Sequence, residues 1–146
     1  MSATASSAEG QRTICDKLGI TAGMVIQEVG ADDDIDTVLR DAIVERTGTD
    51  IVDVDFDDTV DVVLLWWRED DGDLVDSLVD ALTSLAANGV IWLLTPKAGR
   101  DGHVEPSDIG EAAPTAGLAS TSSISAAQHW SGTRLVSPKV TRAPKR

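Results

Sequence analysis

Two isolated basic residues, Lys97 and Arg100, are the leading candidates for chemistry in this chain. They lie in TPKAGRDGH, a glycine-containing loop that follows an apolar run typical of a buried strand. In open parallel sheets, ligands bind beyond the carboxyl ends of the strands. Trp66 and Trp67 end the neighbouring apolar run, so we predict an aromatic and basic pocket for an anionic or planar ligand. The alternative is a turn in which Lys97 and Arg100 only neutralise nearby Asp side chains.

Patterns for metal binding or covalent catalysis are missing. The acidic runs 32–36 and 53–58 suggest calcium loops, but an EF-hand loop needs Gly at its sixth and Glu at its twelfth position, and neither run supplies them. His103, His129 and Cys15 are not at the spacing of metal ligands. We therefore predict no metal site and assign no catalytic residue.

The charge of the chain limits its partners. Its 146 residues include 25 Asp and Glu against 12 Lys and Arg, for a net charge of -13. The acidic body repels phosphate backbones, which argues against nucleic-acid binding through the main surface. Residues 138–146 are basic instead and include Arg142, Lys145 and Arg146. This C-terminal tail is a candidate for docking an acidic partner, an acidic face of the same chain, or RNA; the alternative is a mobile, solubilising end.

The sequence also predicts the compartment and the domain boundaries. A single cysteine excludes an internal disulfide and fits a reducing cytoplasm. No apolar run approaches the ~20 residues that span a bilayer, and the N-terminus lacks the apolar segment of a secretory signal. We expect a cytoplasmic protein that does not associate with membranes, with a disordered tail at residues 1–11 and one domain at residues 12–137.

The elements that position the candidate residues are clearest between residues 60 and 97. VDVVLLWW and NGVIWLLTPK are apolar runs, and LVDSLVDALTSLAA between them is an amphipathic helix that Asn88-Gly89 would end. A strand that is buried on both faces has no alternation of polar and apolar residues. This segment therefore predicts a parallel β-α-β unit covered on both faces.

The rest of the chain continues the β-α alternation. We predict a strand at residues 24–29, a helix at 35–46 and a short edge strand at 51–54. Asp108 and Glu111 form a capping-box pattern for a further helix. Strands at residues 118–125 and 133–137 are expected to pair as a hairpin. The fold class is α/β: a Rossmann-like, mainly parallel sheet with helices on both faces and an antiparallel C-terminal hairpin.

Three segments carry a resemblance to a known family. LGITAGMVIQEVGADDD resembles the first strand and loop of class I S-adenosylmethionine-dependent methyltransferases, where the strand ends in an acidic residue and a Gly-x-Gly-x-Gly loop. VDVVLLWW…LTSLAANGVIWLLTPK resembles the fourth and fifth strands of that fold. EAAPTAGLASTSSISAAQHWSGTRLVSPK resembles its closing helix and hairpin. The resemblance covers residues 13–137 and implies a reduced methyltransferase-like fold.

The loop after the first strand departs from that family. Glu28 matches the acidic position and Gly30 the first glycine, but Asp32 and Asp34 stand where the second and third glycines belong. Side chains there prevent the close approach of the backbone to the cofactor. Their charge repels the carboxylate of S-adenosylmethionine, at about 3 kcal/mol for each contact at ~5 Å with an effective dielectric constant near 20. We therefore predict no cofactor, with S-adenosylmethionine as the alternative.

Two further observations complete the resemblance. An acidic residue after the second strand, Asp53 or Asp55, is implied as a partner for a ribose hydroxyl. The chain also resembles a family of small uncharacterised bacterial proteins with a KLGI…GM start, a WLLTPK-like strand end and a WSG…R close. This second resemblance implies no particular activity.

These features predict a non-enzymatic cytoplasmic binding or regulatory protein on a degenerate methyltransferase-like scaffold. Its partner is expected to be a protein or a small anionic ligand. One alternative is a divergent S-adenosylmethionine-dependent methyltransferase or small-nucleotide-binding enzyme that uses Trp66, Trp67, Lys97 and Arg100. Another is a structural partner that docks onto a larger assembly through an exposed Trp130 and the basic tail.

Overall fold

The computed structural model describes residues 14–137. The tail predicted at residues 1–11, and the basic tail with Arg142, Lys145 and Arg146, lie outside the described residues. The described chain forms a five-stranded sheet in the order β1-β2-β3-β5-β4. The strands are β1 (Ile26–Val29), β2 (Val60–Trp66), β3 (Leu85–Pro96), β4 (Ala119–Ser125) and β5 (Trp130–Val136).

The strand directions confirm the predicted fold class. β1 pairs with β2 and β2 with β3 in parallel, whereas β5 pairs antiparallel with both β3 and β4. The three longest helices of the described residues are α1 (Thr37–Thr47), α2 (Leu74–Ser84) and α3 (Pro106–Thr115). A shorter helical turn spans residues 14–18, and a 3-10 turn spans Glu69–Asp71. The protein is therefore a mixed α/β domain with a mainly parallel sheet and an antiparallel C-terminal hairpin.

Local sequence sets the ends of the first two helices. The carboxylate of Asp36 accepts a hydrogen bond from the backbone N of Leu39 at 2.9 Å and caps the start of α1. Gly48, with φ of 80°, ends α1 in the left-handed conformation. Asp73 caps α2 in the same way as Asp36 caps α1. Asp residues at these positions therefore have a structural role.

The boundary between α2 and β3 differs from the prediction. The helix ends at Ser84 and does not continue to Asn88-Gly89, because Leu85 already pairs with Val60 of β2. A Cβ on Gly89 would lie 2.6 Å from Cγ of Leu85 and 2.9 Å from the carbonyl oxygen of Asp61. The role of Gly89 is therefore to allow close packing of β3 against β2. It does not end a helix.

Two other predicted elements are corrected. The edge strand expected at residues 51–54 is reduced to one isolated bridge between Val52 and Gln27 of β1. The helix expected to start at Asp108 begins at Pro106, and its N-cap residue Glu105 makes no side-chain capping bond. Proline suits the first helical position because its fixed φ is already helical and the missing N–H would have no partner there.

The sheet separates two hydrophobic cores in the described part of the chain. One core lies against α2 and α3, and the other lies against α1 and the helical turn at residues 14–18. Successive residues of β2 enter opposite cores, for example Val63 and Leu64. Both faces of β2 are therefore covered, as its unbroken apolar sequence predicted. No helix in residues 14–137 is long and apolar enough to cross a membrane.

Candidate functional site

The loop after β1 turns back over the end of β2 at Gly30. Gly30 has a φ of 79°, which side-chain-bearing residues rarely adopt. A Cβ at this position would lie 2.4 Å from the carbonyl oxygen of Trp66, the last residue of β2. Contact between the loop and the strand therefore requires a glycine at the position that the methyltransferase resemblance singled out.

Glu28, in β1, is held by partners from β2 and α1. The residue is only 8% exposed. Its Oε2 accepts a hydrogen bond from Nε1 of Trp66 at 3.0 Å, and its Oε1 pairs with Nη2 of Arg40 at 3.0 Å. Both carboxylate oxygens are engaged within the chain, so a ligand hydroxyl at Glu28 would have to share or displace one of these contacts.

Arg68, just beyond the end of β2, binds two points of the loop after β1. Its Nη1 donates to the carbonyl oxygens of Gly30 at 2.7 Å and Trp66 at 3.2 Å. Its Nε donates to Oδ2 of Asp34 at 3.0 Å, and its Nη2 donates to the other oxygen of the same carboxylate. Asp71 accepts a further bond from Nη1 at 3.3 Å. The bidentate pair with Asp34 fixes the loop to the end of β2.

The pairing of Asp34 with Arg68 alters the electrostatics expected for the loop. The hydrogen bond from Arg68 holds the pKa of the Asp34 carboxyl below its ordinary value, although partial burial opposes this shift. The same bond raises the pKa of the Arg68 guanidinium. Sequence reasoning treated Asp34 as a repulsive charge. The structure pairs Asp34 with a cation 34 residues further along the chain, and this cation offsets the repulsion predicted for Asp34.

Trp130 corrects the expectation of an exposed tryptophan. It is 4% exposed, because it begins β5 opposite Pro96 and its ring lies in the core on the α1 side. Its ring meets Trp66 edge-on, with centroids 4.9 Å apart. Its Nε1 donates to the carbonyl oxygen of Asp34 at 3.3 Å, and Cζ of Arg68 lies 5.2 Å from its ring centroid. Trp130 therefore contacts the loop after β1 from the side of β5.

Asp53 and Asp55 occupy an exposed turn after the Val52 bridge. Oδ1 of Asp53 accepts a bond from the backbone N of Asp55 at 3.0 Å, and the carbonyl oxygen of Asp53 accepts one from Nε2 of Gln27 at 3.1 Å. These bonds stabilise the turn. A role for either carboxylate in holding a ribose stays a prediction.

Lys97 and Arg100 share the turn that follows β3. The backbone N of Arg100 donates to the carbonyl oxygen of Lys97 at 3.1 Å. The ammonium of Lys97 donates to Oγ of Ser125 at 2.6 Å, which directs this side chain toward β4. Lys97 and Lys17 line an open cavity of about 440 Å³. The structure therefore places a second lysine beside Lys97.

The aromatic part of the predicted pocket is not formed. Trp66 lies in the core on the α1 side and Trp67 in the core on the α2 side, because successive strand residues point to opposite faces. Both tryptophans are buried. The two indoles therefore do not line one pocket with Lys97.

Sequence reasoning missed a second cavity, of about 370 Å³, between α3 and the outer strands of the sheet. Its lining includes Thr95 of β3, Ser131 and Thr133 of β5, and His103 from the loop before α3. Nδ1 of His103 lies 2.9 Å from the carbonyl oxygen of Pro96. The sequence feature that indicates this cavity is ASTSSIS, the β4 strand, which has an unusual number of hydroxyl side chains.

Comparison of the sequence with family models decides the family. The model described as "Protein of unknown function (DUF3052)" matches residues 15–139. The chain belongs to this DUF3052 family. Its relatives include the uncharacterized proteins Rv2239c of Mycobacterium tuberculosis and Mb2263c of Mycobacterium bovis. Each is 56% identical over 130 residues, covering 89% of this chain and 81% of the relative.

Solved structures resemble this DUF3052 chain in fold. A SAM dependent methyltransferase from Aquifex aeolicus matches with a TM-score of 0.55 at 12% identity, covering 86% of this chain and 88% of the other. The dimethyltransferase RosA from Streptomyces davawensis matches with a TM-score of 0.61 at 10% identity, covering 92% and 56%. At these identities the likeness shows the fold alone, and it confirms a methyltransferase-like domain.

Proposed function

We propose that this chain is a non-enzymatic cytoplasmic binding or regulatory protein on a degenerate methyltransferase-like scaffold. The observation that carries the proposal is the position of Arg68. Its guanidinium bridges the carbonyl oxygen of Gly30 and the carboxylate of Asp34. In the methyltransferase resemblance this loop holds the cofactor, and here its polar groups are directed to side chains of the same chain.

The residues around the loop do not fit S-adenosylmethionine in this arrangement. A cofactor that bonded to the polar groups of Asp34 would compete with Arg68 for its carboxylate and with Trp130 for its carbonyl oxygen. It would also compete with Trp66 and Arg40 for the carboxylate of Glu28. Glu28, Trp66 and Trp130 are buried, and leaving a buried polar group unpaired costs free energy. This cost supports a scaffold that has lost cofactor binding.

The alternatives rest on other residues. A divergent methyltransferase or small-nucleotide-binding enzyme would use Trp66, Trp67, Lys97 and Arg100, but the two tryptophans are buried in opposite cores. A partner that docks through Trp130 would need that indole at the surface, and Trp130 is buried. A small anion near Lys97 and Lys17 stays a candidate ligand, with support only from the placement of these two lysines beside one cavity.

Calorimetric titration with S-adenosylmethionine and S-adenosylhomocysteine tests the proposal. We expect no binding up to millimolar ligand for the wild-type chain. The variant Arg68→Ala tests whether removal of the guanidinium opens the loop, and Arg46→Ala, which loses an ion pair with Asp16 elsewhere, is its matched control. Micromolar binding by the wild-type chain would overturn the proposal and favour the methyltransferase alternative.

A further inference from the structure

The cavity beside α3 has a wall of hydroxyl groups. Thr95 of β3 pairs with Ser131 of β5. Two residues further along β5, Thr133 pairs with Ser123 of β4. Directly opposed residues of antiparallel strands point to the same face, so these side chains share the face of the sheet on which α3 packs.

Two of these hydroxyls are buried without a hydrogen-bond partner among residues 14–137. Thr95 is 3% exposed and Thr133 is 9% exposed. Both line the cavity, and neither hydroxyl makes a hydrogen bond to any residue between 14 and 137. Buried hydroxyls are nearly always bonded in folded proteins, and an unmet one is unfavourable. The two threonines therefore point to a ligand as their partner.

His103 adds a polar group at the rim of the cavity. A carbonyl oxygen can only accept, so Nδ1 of His103 carries the hydrogen that bonds to Pro96 at 2.9 Å. Nε2 is left for other partners and lies 3.7 Å from the carboxylate of Glu105. The opposite wall is apolar and is formed by Val104 and Ile109. The cavity thus offers donors and acceptors on one side and a hydrocarbon surface on the other.

Charge restricts the ligand. No Lys or Arg from the described chain lines the cavity. The Arg134 guanidinium donates to Oγ1 of the lining residue Thr121 at 3.0 Å, and the acids Glu105 and Asp108 lie at the start of α3. The cavity therefore has no cation in its wall to bind an anion, and the charges beside it are of both signs. Hydroxyl groups both donate and accept hydrogen bonds, and so they match the hydroxyl groups of an uncharged ligand. A volume of about 370 Å³ suits a small molecule.

We propose that this cavity binds a small uncharged molecule with several hydroxyl groups, a polyol or a monosaccharide. Such a ligand supplies partners to Thr95 and Thr133 and lays its C–H face on Val104 and Ile109. The inference rests on the proposed function, since it supplies a ligand for a binding protein. It does not involve the loop of Gly30, Asp34 and Arg68, so the two are tested separately.

The test is titration of the full chain with myo-inositol and D-glucose, followed by amide chemical shifts in NMR spectra. We expect saturable changes at the amides of Thr95, Ser131 and Thr133. Thr95→Val and Thr133→Val should each weaken binding about tenfold or more, because a Val methyl cannot replace the hydroxyl bond. Inorganic phosphate serves as the charged comparison and should leave these amides unchanged.

Thr47→Val is the matched control. Thr47 is as buried as Thr95, but its hydroxyl donates to the carbonyl oxygens of Val44 and Thr49, at 3.3 and 3.0 Å. Thr47→Val should lower the melting temperature and leave polyol binding unchanged. In the ligand-free chain, Thr95→Val should leave the melting temperature unchanged or raise it, since the hydroxyl bonds to no group of the described residues that the substitution would release.

The outcomes separate the two proposals. The cavity inference is overturned if neither polyol shifts these amides, if phosphate alone shifts them, or if Thr95→Val lowers the melting temperature as much as Thr47→Val does. In the last case the hydroxyl is already satisfied, for example by a bound water. Binding of S-adenosylmethionine in the calorimetric test would instead overturn the proposed function, whatever the polyol result.

Discussion

The carboxylate of Glu28 accepts a hydrogen bond from the indole nitrogen of Trp66, with Oε2 and Nε1 3.0 Å apart. The two residues are 38 positions apart in the chain and lie on neighbouring parallel strands. Trp66 is fully buried, so Glu28 satisfies an N–H that would otherwise have no partner in the core. Glu28 therefore has a structural role that does not depend on any ligand.

Comparison of Glu28→Ala with Glu28→Gln should distinguish the stability that comes from the hydrogen bond with Trp66 from the stability that comes from the charge of Glu28. Glu28→Ala leaves the indole N–H unpaired and should lower the free energy of unfolding by about 1–3 kcal/mol. Glu28→Gln keeps an oxygen that can accept from Trp66 and loses only the ion pair with half-exposed Arg40, so its cost should be about 1 kcal/mol or less. Urea denaturation measures both. Equal losses for the two variants would show that the charge, not the indole bond, is what matters.

Cys15 should be unreactive in the folded protein. Burial raises the pKa of its thiol, and its Sγ lies 3.5 Å from the carbonyl oxygen of Ala42. The thiolate is the reactive form, so a raised pKa and a buried sulfur both slow attack on a disulfide reagent. We expect a much slower reaction with Ellman's reagent at mildly alkaline pH than for the chain in guanidinium chloride. Comparable rates in the two states would contradict the burial of Cys15.

The accessibility of the tryptophans to a quencher tests the packing of the two cores, because all four tryptophans are buried in them. Iodide cannot enter a packed core, so it should quench little of the native fluorescence and much more of the fluorescence after denaturation. The variant Trp130→Phe should leave the quenchable fraction unchanged. A quenchable fraction that disappears in this variant would mean that Trp130 is at the surface after all.

The core of the fold could be predicted from the sequence because its signals are local. The apolar runs that became β2 and β3 have no alternation, and only a strand covered on both faces explains that pattern. The end of α2 could not be predicted in this way. Leu85, Ala86 and Ala87 have high helix propensity, yet Leu85 pairs with Val60 of β2, so a contact between distant residues overrides the local preference.

The candidate site was less predictable because its contacts join distant parts of the chain. Glu28 and Gly30 were identified through the methyltransferase resemblance, and they do lie beside Trp66. The bond between Arg68 and Asp34 could not be read from sequence, because each residue belongs to a different loop. Trp130 was misassigned because a tryptophan next to Ser-Gly suggests a turn, whereas it opens β5.

Gly30→Ala should be far more costly than Gly48→Ala. Both glycines have φ near 80°, so each substitution places a side chain in the left-handed region at a cost of about 1–2 kcal/mol. At Gly48 nothing lies within 4 Å of the new Cβ, whereas at Gly30 the carbonyl oxygen of Trp66 lies 2.4 Å away. The clash should add about 1–3 kcal/mol to the loss of unfolding free energy. Equal losses would mean that the loop moves away from β2 without penalty.

Protonation of Asp34 in acid should lower the stability of the folded protein. Its folded pKa is lowered, first by the hydrogen bond from Arg68, so the ionised form is favoured in the folded state. The stabilisation is complete above the ordinary value of 3.8 and is lost as the pH falls through the lowered folded pKa. The melting temperature of Asp34→Asn should therefore lie below that of the wild-type chain at neutral pH, and the two should converge in strong acid.

Asp33→Asn is the control for this acid sensitivity. Asp33 is exposed, lies next to Asp34 and forms no ion pair with a cation of residues 14–137. Its replacement should leave the pH dependence of the melting temperature close to that of the wild-type chain. Because the Asp34 side chain is half exposed, added salt should reduce the difference between wild type and Asp34→Asn at neutral pH. Parallel pH profiles for wild type and Asp34→Asn would mean that Arg68 does not hold the loop through this carboxylate in solution.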